Sequence, residues 1–214
     1  MAIKIQGRVV SGGERPFIIA ELSGNHDGSI DMALQLVDKA ADAGVDAVKL
    51  QTSPADTITL DVDFPDFRIN DANSPWDGST LYSLYERAHT PWEWQAPIFA
   101  RARDQGLIAF STPFDSSAIE FLEELEVPCY KVASFEIVDL PLISQVAATG
   151  KPLIMSTGMA TLAEIDEAVA TARNAGCSEL LLMKCTSTYP APPEASNLAS
   201  IRVLRERYGC EVGL

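Results

Sequence analysis

Three lysines recur at matching places along a chain of 214 residues: Lys49 in DAVKLQ, Lys131 in CYKVAS and Lys184 in ELLLMKC. Each closes, or lies near the carboxyl end of, a short apolar run. Burying a lysine is costly unless a partner anion holds it. Three of them at equivalent points of a repeating pattern suggest one shared anionic ligand, most simply a phosphate. Hydroxyl groups recur at the same points. STPFD places Ser111 and Thr112, KVAS places Ser134, and KCTSTYP places Thr186 and Ser187. Ser156, Thr157 and Gly158 form a small-residue turn before a helix, where hydroxyls and free backbone amides can hold phosphate oxygens. A Schiff-base role for one lysine is the alternative, but that chemistry needs only one.

Carboxylates and amides stand beside these groups. Glu21 ends an apolar run and precedes LSGNHDG. A carboxylate there can bind a hydroxyl or transfer a proton, or it can serve structurally by accepting from backbone amides. Asn25 and His26 follow in a Gly-flanked turn, and His26 is expected to orient that loop. His89 is the only other histidine, so a two-histidine metal site is not expected within this chain. Lys49 and Gln51 share strand parity and are expected to point the same way. Glu136 lies just beyond Ser134, and Tyr189 follows Ser187. Asp115 is expected to cap a helix. Trp92 and Trp94 read as helix-packing residues.

Two periodicities position these residues. Short apolar runs at 17–21, 46–51, 107–111, 129–133, 152–156, 179–184 and 211–214 suit strands buried on both faces of a parallel sheet. Between them, Ile30, Ala33, Leu34, Val37, Ala40 and Ala41 form one helical stripe, and Leu162, Ile165, Ala168, Val169 and Ala172 another. Thr161 with Glu164, and Thr90 with Glu93, have capping-box spacing, with Pro91 at the first helical position of the latter. Gly44, Gly106, Gly150, Gly176 and Gly209 each sit between a helix and the next strand, the position that favours glycine.

This alternation predicts an α/β fold with a parallel sheet. A closed (β/α)₈ TIM-type barrel and an open doubly wound sheet both fit the alternation. The barrel is favoured because SGNHDGS is not a dinucleotide fingerprint and because polar residues recur at nearly every strand end. Six complete strand–helix units and the start of a seventh strand can be counted. Residues 1–214 are therefore expected to be the N-terminal part of a barrel from a longer protein. The insertion at 52–90 is mostly loop, with a short helix at 81–88, and on the face of the strand ends it would form a lid.

The chain is 47% hydrophobic, ample for one core, and carries a net charge of −14. Nucleic acid and anionic membranes are poor partners for such a surface. No stretch reaches membrane-spanning length and the N-terminus lacks a signal-type apolar region. Cys129, Cys177, Cys185 and Cys210 form no CxxC pair. Cys129 and Cys185 read as buried thiols, consistent with a cytoplasmic protein.

The segments IAELSGNHDGS, AVKLQT, FSTPFD, YKVAS, MSTGM and KCTSTYPAP, in that order, resemble the sialic acid synthase (N-acetylneuraminate synthase) family. SGNH, KCTS and LYSLYERAHTPWEW resemble its pseudaminic acid synthase branch. The resemblance implies a TIM barrel followed by a small antifreeze-like (SAF) domain, which this chain lacks, and a homodimer when full length. It implies a divalent metal, Mn²⁺ or Mg²⁺, whose histidine ligands would lie beyond Leu214, so this fragment alone is expected to be inactive. It assigns phosphoenolpyruvate contacts to Lys49, Thr112, Lys131, Ser134, Ser156 and Ser187. Glu21 and Lys131 would be catalytic, and Asn25, Gln51, Glu136 and Tyr189 would face an acetamido sugar. Lys184 matches no phosphate ligand of the sialic branch.

The implied activity is condensation of phosphoenolpyruvate with an acetamido-sugar aldehyde to a nonulosonic acid plus phosphate. Pseudaminic acid synthesis is the first expectation and N-acetylneuraminate or legionaminate synthesis the second. A Schiff-base aldolase and a non-catalytic ligand-binding chain are rivals of other classes. Borohydride trapping with pyruvate would mark the aldolase.

Overall fold

The seven apolar runs form strands, and the segments between them fold as helices wherever the apolar stripe repeats at helical spacing. A computed structural model describes residues 2–214 except Asn73, Pro75 and Tyr189. The strands are β1 (Ile3–Ile5), β2 (Arg8–Val10), β3 (Ile19–Glu21), β4 (Ala47–Thr52), β5 (Ile108–Pro113), β6 (Tyr130–Val132), β7 (Leu153–Ser156), β8 (Leu180–Met183) and β9 (Glu211–Gly213). The α-helices are α1 (Ile30–Asp42), α2 (Leu81–Ala88), α3 (Trp92–Asp104), α4 (Ser116–Glu124), α5 (Leu140–Ala148), α6 (Leu162–Asn174) and α7 (Ser200–Tyr208). Strands β3 to β9 are hydrogen-bonded in chain order, β3-β4-β5-β6-β7-β8-β9. A doubly wound sheet reverses its strand order at a switch point, and this series does not.

The chain divides into two compact units, Ile19–Ala109 and Met1–Ile18 with Phe110–Leu214. In the first, β3 pairs parallel with β4, and Ala33, Val37 and Ala40 of α1 are buried. Ser29 caps α1 by accepting from the Met32 amide. The 52–80 loop is tied internally. Arg68 donates to both Asp63 carboxylate oxygens, at 2.5 and 2.7 Å, and to the Gly78 carbonyl at 2.6 Å. The short helix expected at 81–88 is α2.

In the second unit β6, β7, β8 and β9 pair in parallel. Val132, Met155 and Leu182 share one face of the sheet by register, Ile154 lies on the other, and all four are buried. Thr161 and Glu164 make the full capping box of α6, and Asp115 caps α4 by accepting from the Ser117 and Ala118 amides. Each such cap satisfies helix donors at about 1 kcal/mol.

Three expectations are corrected. Thr90 does not cap α3. Pro91 takes the N-cap position rather than the first helical one, without a side-chain cap, and the Thr90 hydroxyl is engaged by His26 instead. Leu162 is half exposed although it continues the apolar stripe of α6, because it lies in the helix's first turn. Residues 3–10, read as no element, form the antiparallel hairpin β1–β2. Its turn residues Gln6 and Gly7 have φ of 48° and 84°, the primed geometry that matches strand twist. Ile3 and Ile5 are buried, and the Lys4 amide donates to Glu179 at 2.7 Å.

Candidate active site

Within the Ile19–Ala109 unit, register brings Glu21 opposite Lys49 on β3 and β4. Lys49 is 4% exposed, and its ammonium meets the Glu21 carboxylate at 2.8 Å. It also donates to the Leu50 carbonyl at 3.2 Å. The buried cation thus has an anion from the chain itself, which offsets its desolvation. Gln51 is exposed, one residue beyond buried Leu50.

The SGNHDG turn follows Glu21. Asn25 is exposed and donates from Nδ2 to the Leu22 carbonyl at 3.1 Å. Ser23 and Asp27 both have φ of 47°, uncommon for residues with a side chain. His26 holds this turn. It is 2% exposed, accepts the Gly28 amide at Nδ1 over 3.2 Å, and lies 3.1 Å from the Thr90 hydroxyl through Nε2. With Nδ1 accepting, Nε2 carries the proton and donates to Thr90. Trp94 packs edge-on against the imidazole at 5.5 Å. Burial, then the charge of His89, lower the His26 pKa, and Asp27 opposes them. His26 is therefore a loop anchor, as expected, and Trp94 of α3 packs against this loop residue.

The unit containing β6 to β9 gathers the second set. Lys131 is 9% exposed; its ammonium donates to the Val132 carbonyl at 3.1 Å and to the Ser156 hydroxyl. Ser156 ends β7, and the Cys185 thiol lies 3.3 Å from its oxygen. The Ser134 hydroxyl accepts the Gly158 amide at 3.2 Å. A Cβ built on Gly158 would stand 2.3 Å from the Ser187 oxygen and 2.8 Å from that of Ser134. Ser134 and Ser187 therefore flank Gly158, and a side chain there would collide with both. Ser111 and Thr112, on β5, are buried.

Glu136 is the acid of this set. Burial raises its pKa above the usual carboxylate range, opposed by its own backbone amide and by the Lys131 charge, while Asp139 adds to the rise. Its Oε2 is buried without a hydrogen-bond partner. A cation beside hydroxyl donors and a carboxyl group with a raised pKa can hold an anion and exchange a proton nearby.

The structure departs from the sequence reading at several of these residues. Lys184, 9% exposed, donates to the Thr186 hydroxyl at 2.7 Å, so within this unit it has a different hydroxyl partner from Lys131. The Thr157 and Gly158 amides are not free for phosphate. Thr157 N–H donates to the Met183 carbonyl at 2.9 Å because the β7–β8 ladder runs one residue past the strand, and Gly158 N–H is taken by Ser134. Cys185 is only partly buried, because β8 ends at Met183 before reaching it. Tyr189 lies outside the described residues. No sequence signal marked Cys185 as a neighbour of Ser156, because the contact joins the end of β7 to a residue 29 positions later, beyond β8.

Comparison with known proteins places this geometry in context. Residues 36–214 match the model of the NeuB family. The chain is 43% identical over 201 residues to the pseudaminic acid synthase of Campylobacter jejuni, covering 94% of this chain and 58% of that protein. It superposes on the N-acetylneuraminic acid (sialic acid) synthetase of Leptospira borgpetersenii, solved with citrate, with a TM-score of 0.86 at 27% identity, over 100% of this chain and 69% of that one. The spore coat polysaccharide biosynthesis protein SpsE of Bacillus subtilis gives a TM-score of 0.82 at 34% identity, over 100% and 56%. The chain thus spans 58% of the length of its curated relative from Campylobacter. A family match reaching from α1 to the last residue of the chain, through Lys49, Lys131, Ser156 and Gly158, means that this chain belongs to the NeuB family.

Proposed function

We propose that the protein condenses phosphoenolpyruvate with an acetamido-sugar aldehyde to give a nonulosonic acid and phosphate, with a pseudaminic acid precursor as the first candidate sugar. The observation that carries this reading is the buried Lys131 ammonium held against the Ser156 hydroxyl, beside the Ser134–Gly158–Ser187 cluster. Phosphoenolpyruvate is a compact trianion, and a buried cation with several hydroxyl donors suits it. The 43% identity to a pseudaminic acid synthase supports the choice of sugar.

In this reading carbon 3 of phosphoenolpyruvate attacks the aldehyde carbon. The C–C bond forms, and the aldehyde oxygen takes a proton. The cation left at carbon 2 captures water, and the tetrahedral intermediate then loses phosphate. Lys131, Ser134, Ser156, Ser187 and Thr112 hold the phosphate and carboxylate. Glu136 faces the sugar, and its raised pKa equips it to hold a proton. Lys49 also contacts phosphoenolpyruvate, while Glu21, Asn25 and Gln51 serve the sugar end of the reaction.

The first seven strands of a (β/α)₈ barrel are the architecture proposed for the sheet, since the strand order is sequential. A divalent cation, Mn²⁺ or Mg²⁺, belongs to the proposal as a Lewis acid toward the aldehyde. Among the described residues no group of three or more His, Cys, Asp or Glu could hold it, and His26 is committed to Thr90 and Gly28. No step is therefore assigned to it here. A cytoplasmic homodimer completes the reading. Among the described residues no helix is long and apolar enough to cross a membrane.

The test is Lys131→Ala in the full-length protein, assayed by phosphate release with phosphoenolpyruvate and a panel of acetamido sugars. Removing a buried cation from an anion site costs about 3–5 kcal/mol, so kcat/KM should fall by roughly 10²–10⁴-fold. An unchanged kcat/KM sinks the assignment.

A further inference from the structure

We infer that Cys185 is a positioning residue for the anion site, acting through Ser156; this rests on the phosphoenolpyruvate reading above. A serine oxygen has two acceptor sites and one proton to donate. The Lys131 ammonium donates to Ser156 Oγ, and the Cys185 thiol lies 3.3 Å from the same oxygen. Its other acceptor within reach, the Met183 carbonyl, is more distant at 3.7 Å. That carbonyl already accepts from the Thr157 amide at 2.9 Å and the Thr157 hydroxyl at 3.0 Å. The thiol proton therefore goes to Ser156.

With both lone-pair directions of Ser156 Oγ filled by Lys131 and Cys185, its own O–H has only the donor role left. The hydroxyl is locked as a donor and supplies a directed hydrogen bond to a bound anion. Without the thiol, the hydroxyl is free to rotate, and part of its time is spent pointing away. Preorganised donors hold an anion more tightly because no reorientation is needed on binding. Cys185 is also placed to report on the site. It is only partly buried, whereas Cys129, Cys177 and Cys210 are buried. Its β-carbon would lie 3.2 Å from a Cβ on Gly158.

The experiment measures phosphoenolpyruvate binding to the full chain by titration calorimetry for wild type, Cys185→Ala and Cys185→Ser, with urea midpoints recorded for each. One lost hydrogen bond corresponds to a Kd raised by about five- to tenfold in Cys185→Ala. Cys185→Ser, which keeps a donor on Cβ, should return Kd to within about twofold of wild type. A packing role alone would not distinguish the two variants by donor capacity. In parallel, phosphoenolpyruvate should protect Cys185 of the wild type from iodoacetamide. Equal or tighter binding by Cys185→Ala overturns the inference, tighter binding meaning that Ser156 donates to sulfur rather than outward. Full alkylation of Cys185 in the presence of saturating ligand overturns it as well. A wild-type chain that binds no phosphoenolpyruvate overturns the functional reading and this inference together, which separates that failure from the first two.

Discussion

Glu21 and Lys49 stand directly across from each other on β3 and β4, and their side chains meet at 2.8 Å. The pair is asymmetric: the lysine side chain is 5% exposed and the glutamate 53%. The cation is thus fixed, while its carboxylate partner remains open to solvent and to a substrate. A carboxylate so placed can accept a hydrogen bond from a sugar hydroxyl without leaving the lysine.

Glu21→Gln preserves shape and removes the charge. A fully buried pair broken on one side loses about 3–5 kcal/mol, but Glu21 is half in water, so a loss of about 1–2 kcal/mol is expected. The urea midpoint should fall with m unchanged. Phosphoenolpyruvate Kd should hold within about threefold, while kcat drops by about 10² or more if the carboxylate moves a proton or orients the sugar. A variant with full kcat would show that Glu21 serves only to neutralise Lys49.

Gly158→Ala tests the serine cluster from the backbone side. Its new methyl would stand 2.3 Å from the Ser187 oxygen and 2.8 Å from that of Ser134, so both hydroxyls must turn away. Overpacking of this kind costs about 1–3 kcal/mol. The larger effect should fall on ligand binding, with phosphoenolpyruvate Kd raised by more than about tenfold. Unaltered affinity in Gly158→Ala would remove Ser134 and Ser187 from the anion site.

Lys49, Lys131 and Ser156 were legible in the chain because lysines and hydroxyls at the ends of apolar runs are out of place unless something holds them. The capping box at Thr161 and Glu164 was legible because it is local, with both partners within one turn. The partners of the lysines were not. Glu21 reaches Lys49 through strand register, and Ser156 reaches Lys131 across 25 residues. Similar local spacing misled at Thr90, where a partner 64 residues away, His26, takes the hydroxyl that the capping pattern would have used. The hairpin over Ile3–Val10 escaped notice because its strands are only three residues each and its turn pair is Gln6-Gly7 rather than Asn-Gly. The commitment of the Thr157 and Gly158 amides depended on ladder continuation and on a neighbouring loop, neither of which is written in the STG motif itself.

His26 gives the protein a predictable acid sensitivity. Its folded-state pKa lies below 6.5, chiefly through burial, with His89 adding to the fall and Asp27 opposing it. The neutral imidazole is required, because Nδ1 accepts the Gly28 amide and a protonated ring cannot accept. Below the unfolded-state pKa of about 6.5 the unfolded chain binds a proton that the folded chain refuses. Stability should therefore be level above that pH with respect to this residue, decline as pH falls from about 6.5 to the depressed folded value, and flatten below it. Most carboxylates titrate lower, but burial raises Glu136 toward this range, so the comparison with a His26 variant, not the pH window alone, identifies the histidine. Urea unfolding at closely spaced pH values should show this slope in the wild type, and it should vanish in His26→Asn, whose amide can still meet Thr90. A slope that persists in His26→Asn would assign the sensitivity to another group and leave the SGNHDG turn held by contacts other than the imidazole.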